Sequence, residues 1–222
     1  MNEILMSQDG SHTVKSSKFD STYHSIHGAF TESRVVYIET GLQYLLDKGY
    51  RSIHLFEMGF GSGLNALLSL DFALTNKCHI AYTGIERYPL VPSEFEKLNY
   101  CSLSDLNNLS LQFLTMHSSS SDETLVLNEF FTFTKIIGDI EKVELSERFD
   151  VIFFDAFSPG IQDMLWGPDV MKMMYGSLNP HGVLTTYCAQ GKFRRVLTAC
   201  GFKVEKLPGP PGKREITRAI KE

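Results

Sequence analysis

The sequence predicts an α/β fold, a three-layer sandwich with helices on both faces of a mainly parallel seven-stranded sheet. Short apolar segments with strand character alternate with segments of helical periodicity, which is the order expected of a parallel sheet. Residues 149–154, FDVIFF, are apolar enough for a central strand buried on both faces. The chain has 222 residues, of which 43% are hydrophobic and 21% charged, so a single domain can bury a packed core.

The predicted elements divide the chain into two parts. Residues 1–33 are polar and lack a clean period, so we expect an N-terminal extension packed on a main domain of residues 34–222. The last two strands have no helix between them and should pair antiparallel, an ending typical of the class I methyltransferase variant of the Rossmann fold. The predicted strands cover residues 52–58, 79–86, 129–137, 149–154, 182–188, 202–206 and 214–220, and the predicted helices cover residues 34–47, 63–75, 92–99, 163–177 and 191–200.

Composition disfavours several classes of protein. No apolar stretch approaches the roughly 20 residues needed to cross a bilayer. The N-terminal sequence lacks the basic and apolar regions of a secretion signal, so we expect a cytoplasmic protein with no membrane partner. The four cysteines lack C-x-x-C spacing, which predicts reduced thiols and no metal site. We also expect a monomer.

Charge is unevenly distributed along the chain. The net charge is −5, yet residues 190–222 hold nine lysines and arginines against three acids. A basic end on an acidic body can bind an anionic partner such as nucleic acid. It can equally be a solvated helix face and sheet edge, and charge alone does not decide between the two.

A glycine-rich loop at residues 57–65, EMGFGSGLN, follows a predicted strand and opens a predicted helix. Glycines allow a ligand to approach the backbone closely, and the helix N-terminus offers unpaired N–H groups. The last two glycines also fit a dinucleotide fingerprint. A carboxylate at Glu57 would repel a pyrophosphate, whereas it would attract the ammonium and sulfonium groups of S-adenosylmethionine, so the loop favours S-adenosylmethionine.

Two further acids follow later strands. Glu86 ends the second strand, 23 residues after Gly63, where a carboxylate accepts hydrogen bonds from a ribose diol. Asp139 ends the third strand and could receive an adenine amino group while Ile140 covers the ring. NAD and S-adenosylmethionine both contain adenosine, so these residues predict an adenosine ligand without choosing between the two.

Residues 150–159, DVIFFDAFSP, form a strand that ends at Asp155. The corner is similar to the (Asp/Asn)-Pro-Pro-aromatic corner of amine methyltransferases, from which Ala156 and Ser158 depart. A carboxylate at this position can orient the N–H groups of an amine and take up the released proton. We therefore predict that Asp155 is the catalytic residue, with loop capping as the alternative.

Motifs along nearly the whole chain carry a resemblance to one family. They are DGSHT (9–13), YHSIHGAFTES (23–33), FEMGFGSGLN (56–65), GIERYPL (84–90), GD (138–139), DAFSP (155–159), MLW (164–166), TYCAQGKFRR (186–195) and PGPPGKRE (208–215). Together, and in this order, they resemble the methyltransferase domain of the MnmC family, bacterial enzymes that finish 5-methylaminomethyl-2-thiouridine at the wobble position of tRNA.

The resemblance implies that S-adenosylmethionine is used to methylate the aminomethyl nitrogen on carbon 5 of the uridine, with Asp155 beside the amine. The partner is then the anticodon stem-loop of tRNA. The implied cofactor contacts are Glu57, Gly59, Phe60, Gly61, Gly63, Asn65, Glu86, Asp139, Ile140, Asp155 and Phe157. The basic C-terminal end predicts tRNA contacts at Lys192, Arg194, Arg195, Lys213 and Arg214. We also assign Tyr23 and His24 to the tRNA site, with attachment of the N-terminal extension as the alternative.

The sequence also departs from the family. Well-known members carry an FAD-dependent oxidase domain, for which 222 residues leave no room, so we expect no FAD chemistry and a tRNA that already bears an aminomethyl group. Two prolines alter the basic stretch 208–215. Two alternative functions stay open: methylation of a small-molecule amine, and a non-catalytic module that binds adenosine or RNA.

Overall fold

A computed structural model of the chain describes residues 2–103, 106–145 and 148–222. The strands in these ranges are β1 (Glu3–Met6), β2 (His12–Ser16), β3 (Ser21–Thr22), β4 (Ser52–Met58), β5 (His79–Glu86), β6 (Thr124–Asn128), β7 (Phe131–Ile137), β8 (Phe149–Phe154), β9 (Leu178–Thr186), β10 (Lys203–Pro208) and β11 (Glu215–Ile220). The α-helices are α1 (Ala29–Ser33), α2 (Tyr44–Asp47), α3 (Leu64–Asn76), α4 (Pro92–Phe95), α5 (Tyr100–Leu103), α6 (Ser110–Ser118), α7 (Pro168–Ser177) and α8 (Gly191–Ala199).

The central sheet confirms the predicted fold class. Among the described residues it has eight strands, in the order β10-β11-β9-β8-β4-β5-β7-β6. The five strands from β9 to β7 in this order are parallel. β11 lies antiparallel between β9 and β10, as predicted for the last two strands.

The predicted number of seven strands is wrong by one, because β6 joins the edge of the sheet antiparallel to β7. Its sequence gives little strand signal, because the apolar alternation is weak. In the structure, Val126 on this edge strand is 76% exposed. A tight turn closes the β6–β7 hairpin, with the Phe130 N–H donating to Asn128 Oδ1 at 2.7 Å. Asn in a short turn is a hairpin signal that the prediction did not use.

Helices cover both faces of the sheet, and β8 shows how. Val151 and Phe153 belong to the core that packs against α3 and the helical residues 29–47. Ile152 and Phe154 belong to the opposite core, which packs against α7 and α8. Successive side chains of a strand point to opposite faces, so this strand, which is apolar at every position except Asp150, lies in the middle of three layers.

One helical run extends from residue 29 to residue 47, with a π-helical stretch, Arg34–Gln43, between α1 and α2. The run lies close to the sheet at Gly41, where a Cβ atom would come within 2.8 Å of the Phe153 ring. The expected boundary between residues 33 and 34 falls inside this run, so the N-terminal extension and the main domain share a helix.

Two predicted helices are shorter than expected. The helix predicted at 92–99 ends at Phe95, and Asn99 instead bonds the N-terminal segment, with its Nδ2 donating to Gly10 O at 2.9 Å. The helix predicted at 163–177 is interrupted at Gly167, which separates a 3-10 turn from α7. Helix α6 is absent from the prediction. Every helix in the described ranges is too short or too polar to span a membrane.

The N-terminal residues form a three-stranded antiparallel sheet, β1-β2-β3. Asp9, in the loop between β1 and β2, binds the start of the helical run. Its Oδ2 accepts from the Thr31 N–H at 2.9 Å and the Thr31 hydroxyl at 2.8 Å, and its Oδ1 accepts from the Ser11 N–H at 3.0 Å. Burial raises the pKa of Asp9, but the bonds from Ser11 and Thr31 outweigh it and lower the pKa to about 2.

We expect Asp9→Asn to lower the free energy of unfolding at neutral pH by about 1 to 2 kcal/mol, the range for a lost helix cap. Because the folded pKa lies below the ordinary value of 3.8, this stabilisation is complete above pH 5 and is lost as the pH falls toward 2. Urea unfolding of the wild type and of Asp9→Asn at pH 7 and pH 3 measures the difference in their free energies of unfolding. Asp20→Asn is the control, since Asp20 is 88% exposed and only meets Lys15 at the surface. A constant difference at both pH values would contradict the prediction.

Candidate active site

A cavity of about 380 Å³ opens where β4, β5, β7 and β8 end. This carboxyl edge is where open α/β sheets bind ligands, and the volume suits a small molecule. The predicted site residues that line it are Tyr23, Gly59, Gly61, Glu86, Asp139, Ile140, Asp155 and Phe157.

The glycine loop brings the backbone against its neighbours without room for side chains. Gly59 has a φ of 94°, and a Cβ atom there would lie 2.8 Å from the carbonyl oxygen of Asp155. Gly61 has a φ of 52°, and its Cβ would lie 2.8 Å from the Tyr23 ring. Positive φ together with such contacts is acceptable only for glycine, so the loop forms a close-fitting floor for the cavity.

Glu86 lies on the cavity wall at the end of β5. One carboxylate oxygen accepts the Gly61 N–H at 2.8 Å and the other accepts the Tyr88 N–H at 2.7 Å. These bonds fix the carboxylate and leave each oxygen a further lone pair, because a carboxylate offers about four acceptor sites. Burial raises the pKa of Glu86, while the same backbone bonds lower it. The group can therefore receive two hydroxyl donors from a ligand.

Asp139 and Ile140 follow β7 on the same wall. Asp139 caps a short 3-10 turn by accepting the Glu141 N–H at 3.3 Å, and its other oxygen lies 2.7 Å from Arg87 Nη1. Ile140 is buried, with 1% of its surface exposed. The wall thus pairs one acceptor with one apolar side chain, as an adenine ring requires.

Four predicted cofactor residues of the loop, Glu57, Phe60, Gly63 and Asn65, do not line the cavity as the described residues define it. Glu57 is fully buried and accepts the Asn65 amide at 2.7 Å and the Tyr82 hydroxyl. Burial raises the pKa of Glu57 well above its usual value. The expectation that Glu57 itself attracts a cationic ligand is therefore not supported, because its oxygens are occupied within the protein.

Asp155 joins this buried group to the cavity. The Asn65 Nδ2 that donates to Glu57 also donates to Asp155 Oδ2 at 2.8 Å. His24 Nδ1 lies 3.9 Å from the same oxygen. Burial raises the pKa of Asp155, while His24 and Tyr37 lower it. Asp155 is therefore a buried carboxyl group with one well-held oxygen.

Aromatic side chains close the mouth of the cavity, and sequence analysis missed two of them. Phe19 lies 4.7 Å from Phe157 and 5.9 Å from Tyr88, measured between ring centroids, and Tyr23 lies 5.1 Å from Phe157. The Trp166 indole donates to Phe157 O at 2.7 Å and fixes the corner after β8. Phe19 is at the tip of the β2–β3 turn, in a segment without periodicity, so no sequence pattern predicts its position at the cavity.

A second hollow, of about 490 Å³, lies beside the corner after β8. Its walls include Ser158, Tyr187 and the basic stretch around Arg214. The Tyr187 hydroxyl donates to Ala156 O at 2.8 Å, so the hollow borders the Asp155 segment. Because β9 and β10 end at this edge of the sheet, the loop between β10 and β11 lies on the same side of the molecule as the glycine loop.

The predicted basic residues fall into two groups. Lys192, Arg195 and Arg214 are exposed. Arg194 is buried and donates to Thr217, Glu215 and the Ile216 carbonyl, so the expectation that it binds phosphate is not supported. Lys213 is half-buried, with its Nζ 3.2 Å from the buried Glu32 and 4.5 Å from the centre of the Tyr187 ring.

Comparison with known proteins places this geometry in context. A bifunctional protein of Cupriavidus metallidurans named for tRNA 5-methylaminomethyl-2-thiouridine biosynthesis, MnmC, is 30% identical over 98% of this chain. The MnmC of Pseudomonas fluorescens is 28% identical over 92% of it. The chain spans about a third of the length of these relatives, 33% and 32%. The crystal structure of MnmC2 from Aquifex aeolicus shares the fold, with a TM-score of 0.77 at 23% identity over 99% of this chain and 70% of that one.

A separate match, to a sequence profile, shows which family the chain belongs to. The sequence profile of a family described as S-adenosyl-L-methionine-dependent methyltransferase matches residues 104–222, more than half of the chain. This stretch supplies Asp139, Asp155, the strands β7 and β8, and the residues that line the second hollow. The predicted cofactor is thereby confirmed, and the chain belongs to the S-adenosylmethionine-dependent methyltransferases.

Proposed function

We propose that the chain methylates the aminomethyl nitrogen of 5-aminomethyl-2-thiouridine at the wobble position of tRNA, in the cytoplasm. One observation carries the proposal. Asp155 lines the cofactor-sized cavity, and the segment that follows it borders a second hollow with an exposed arginine on its wall. The relatives named for this tRNA modification support the substrate.

The cavity fits S-adenosylmethionine on the evidence of its own atoms. The cofactor supplies a methyl group on a positively charged sulfur. Glu86 would accept the two ribose hydroxyls, Asp139 the adenine amino group, and Ile140 would cover the ring. Glu86 and Asp139 line the cavity, and each of their oxygens has one partner within the protein, which leaves lone pairs for hydrogen bonds from the ligand.

Asp155 would bind the amine at the entrance to the second hollow. An amine attacks only with a free lone pair, so a proton must leave the nitrogen of an ammonium group. Burial raises the pKa of Asp155, and a base is most effective when its pKa approaches the working pH. Asp155 would orient the N–H bonds and hold the released proton.

The basic surface around the second hollow would bind RNA phosphates. Lys192 and Arg195 extend from α8, and Arg214 extends from the loop before β11, all of them exposed. Among the residues that the structure describes, none of the three pairs with a carboxylate within 4.0 Å. Lys213 already neutralises Glu32. We therefore assign phosphate contacts to the three exposed residues. We assign Tyr187 to the pocket that holds the methyl acceptor.

Glu86→Gln tests the cofactor site. The glutamine side chain lacks the negative charge of Glu86, and its NH2 group would face a backbone N–H, which is also a donor. We therefore expect S-adenosylmethionine affinity to fall by about 1.5 to 3 kcal/mol, the range for charged hydrogen bonds. Calorimetry with S-adenosylmethionine and NAD measures it. Glu129→Gln, at an exposed turn on the opposite edge of the sheet, is the control. NAD binding more tightly than S-adenosylmethionine would refute this site.

Transfer to tRNA tests the reaction. The protein is incubated with methyl-labelled S-adenosylmethionine and tRNA from cells that lack this gene, and the nucleosides are analysed. We expect label in 5-methylaminomethyl-2-thiouridine. Asp155→Asn should slow transfer roughly 100-fold, because base catalysis and positioning are lost, while cofactor affinity changes less than about threefold. Label on a small amine but not on tRNA would support the alternative substrate instead.

The salt dependence of tRNA binding tests the basic surface. Each phosphate contact displaces condensed counterions, so the slope of log affinity against log salt should become shallower by about one to two units in the double variant Arg195→Ala/Arg214→Ala. Lys48→Ala/Lys172→Ala removes the same charge from exposed positions elsewhere. Filter binding at several salt concentrations measures both. Equal slopes in the two double variants would remove this surface from the RNA site.

A further inference from the structure

His24 is a buried histidine whose two ring nitrogens have different surroundings. Its Nε2 lies 2.8 Å from the Ser62 hydroxyl, inside the glycine loop. Its Nδ1 has no hydrogen-bond partner among the described residues. That nitrogen lies 3.9 Å from Asp155 Oδ2, and both side chains are at least nine-tenths buried, with exposures of 5% and 7%.

The backbone of His24 is held in place from both sides. Its N–H donates to Thr13 Oγ1 at 3.0 Å, and the Thr13 hydroxyl donates to its carbonyl at 3.1 Å. The Tyr23 N–H donates to Val14 O at 2.9 Å, which continues the attachment to β2. The imidazole is therefore positioned by the N-terminal sheet and cannot easily turn its unpaired nitrogen toward water.

The surroundings of Asp155 make this position significant. Among the described residues, His24 is the basic side chain within 4.0 Å of Asp155. Glu32 has its own cation, Lys213, at 3.2 Å. A second carboxylate close to Asp155 makes its ionised form less favourable, and a hydrogen-bond donor that faces the carboxylate makes it more favourable. The titratable groups that face Asp155 are His24 from the N-terminal segment, Glu32 from α1, Tyr37 from the π-helical stretch, Glu57 from β4, Tyr82 from β5 and Tyr187 after β9.

We propose that His24 is a positioning residue whose Nδ1–H faces Asp155 Oδ2 and favours the ionised carboxylate, which accepts the proton released by the substrate amine. The inference rests on the proposed function. An N–H bond of the substrate ammonium breaks, its electron pair stays on nitrogen, and the proton forms an O–H bond on Asp155. Contacts between catalytic groups often shorten when substrate binds, so the present 3.9 Å is compatible with this role.

Ser62 completes the arrangement because a hydroxyl both donates and accepts. When His24 carries a proton only on Nδ1, the Ser62 hydroxyl donates to Nε2. When both nitrogens are protonated, the Ser62 oxygen accepts from Nε2. The imidazole thus keeps a partner in either state, and no buried donor or acceptor on that side is left unpaired.

The pH profile of kcat/KM for tRNA methylation tests the proposal. In His24→Asn, Asp155 loses the Nδ1–H that faces its carboxylate and retains its proton to higher pH. We expect the acid limb to move up by about one pH unit, so the rate on that limb falls about tenfold. At high pH the rate should return to within about threefold of wild type, and cofactor affinity should be unchanged. His181→Asn is the control, because His181 is exposed at the opposite edge of the sheet and its φ of 65° suits asparagine.

The outcomes separate this proposal from the proposed function. A His24→Asn profile that is lower at every pH but has an unmoved acid limb would assign His24 a packing role and overturn the proposal. Wild-type protein that transfers no methyl group to tRNA would contradict the proposed function instead.

A second measurement needs no substrate. Long-range proton–nitrogen NMR spectra of the cofactor-free protein show which ring nitrogen of His24 carries a proton. We expect the proton on Nδ1 in wild type, facing the carboxylate, and on Nε2 in Asp155→Leu, donating to Ser62. An identical tautomer in both proteins would overturn the proposal, even if His24→Asn does not fold.

Discussion

One amide group holds the active site together. Both N–H bonds of the Asn65 side chain are used, one on Glu57 and one on Asp155. Those carboxyl groups end neighbouring parallel strands, and the amide extends from the helix between the glycine loop and the next strand. Burying two acids side by side is costly unless their oxygens are hydrogen-bonded. Asn65 meets that requirement, and it thereby fixes the distance between the cofactor loop and the acceptor corner.

The sequence predicted elements well where local pattern and long-range packing agree. Residues 52–58, 79–86 and 149–154 are strands with the predicted bounds, because apolar side chains fill most of their buried positions. β6 was missed because an exposed edge strand has no such pattern. The candidate residues at strand ends, Glu86 and Asp139, line the cavity as predicted, since the carboxyl ends of parallel strands meet at one edge.

Burial of charged side chains could not be predicted from motifs. Glu57 was assigned to the ligand and Arg194 to phosphate, yet each uses its polar atoms on neighbours that are distant in sequence. The same limit applies to the N-terminal extension. Its periodicity is weak because short strands and tertiary hydrogen bonds stabilise it. No sequence pattern therefore predicts that Phe19 lies over the cavity or that His24 lies beside Asp155.

The strand order has a consequence for how the chain is made. β11 lies inside the sheet, with β9 on one side and β10 on the other, yet it is synthesised after both. Until it emerges from the ribosome, the nascent sheet has an open slot with two unpaired edges, and β10 has no partner. Such edges are templates for pairing with other chains. The basic loop that precedes β11 therefore takes its final shape only once β11 lies between β9 and β10.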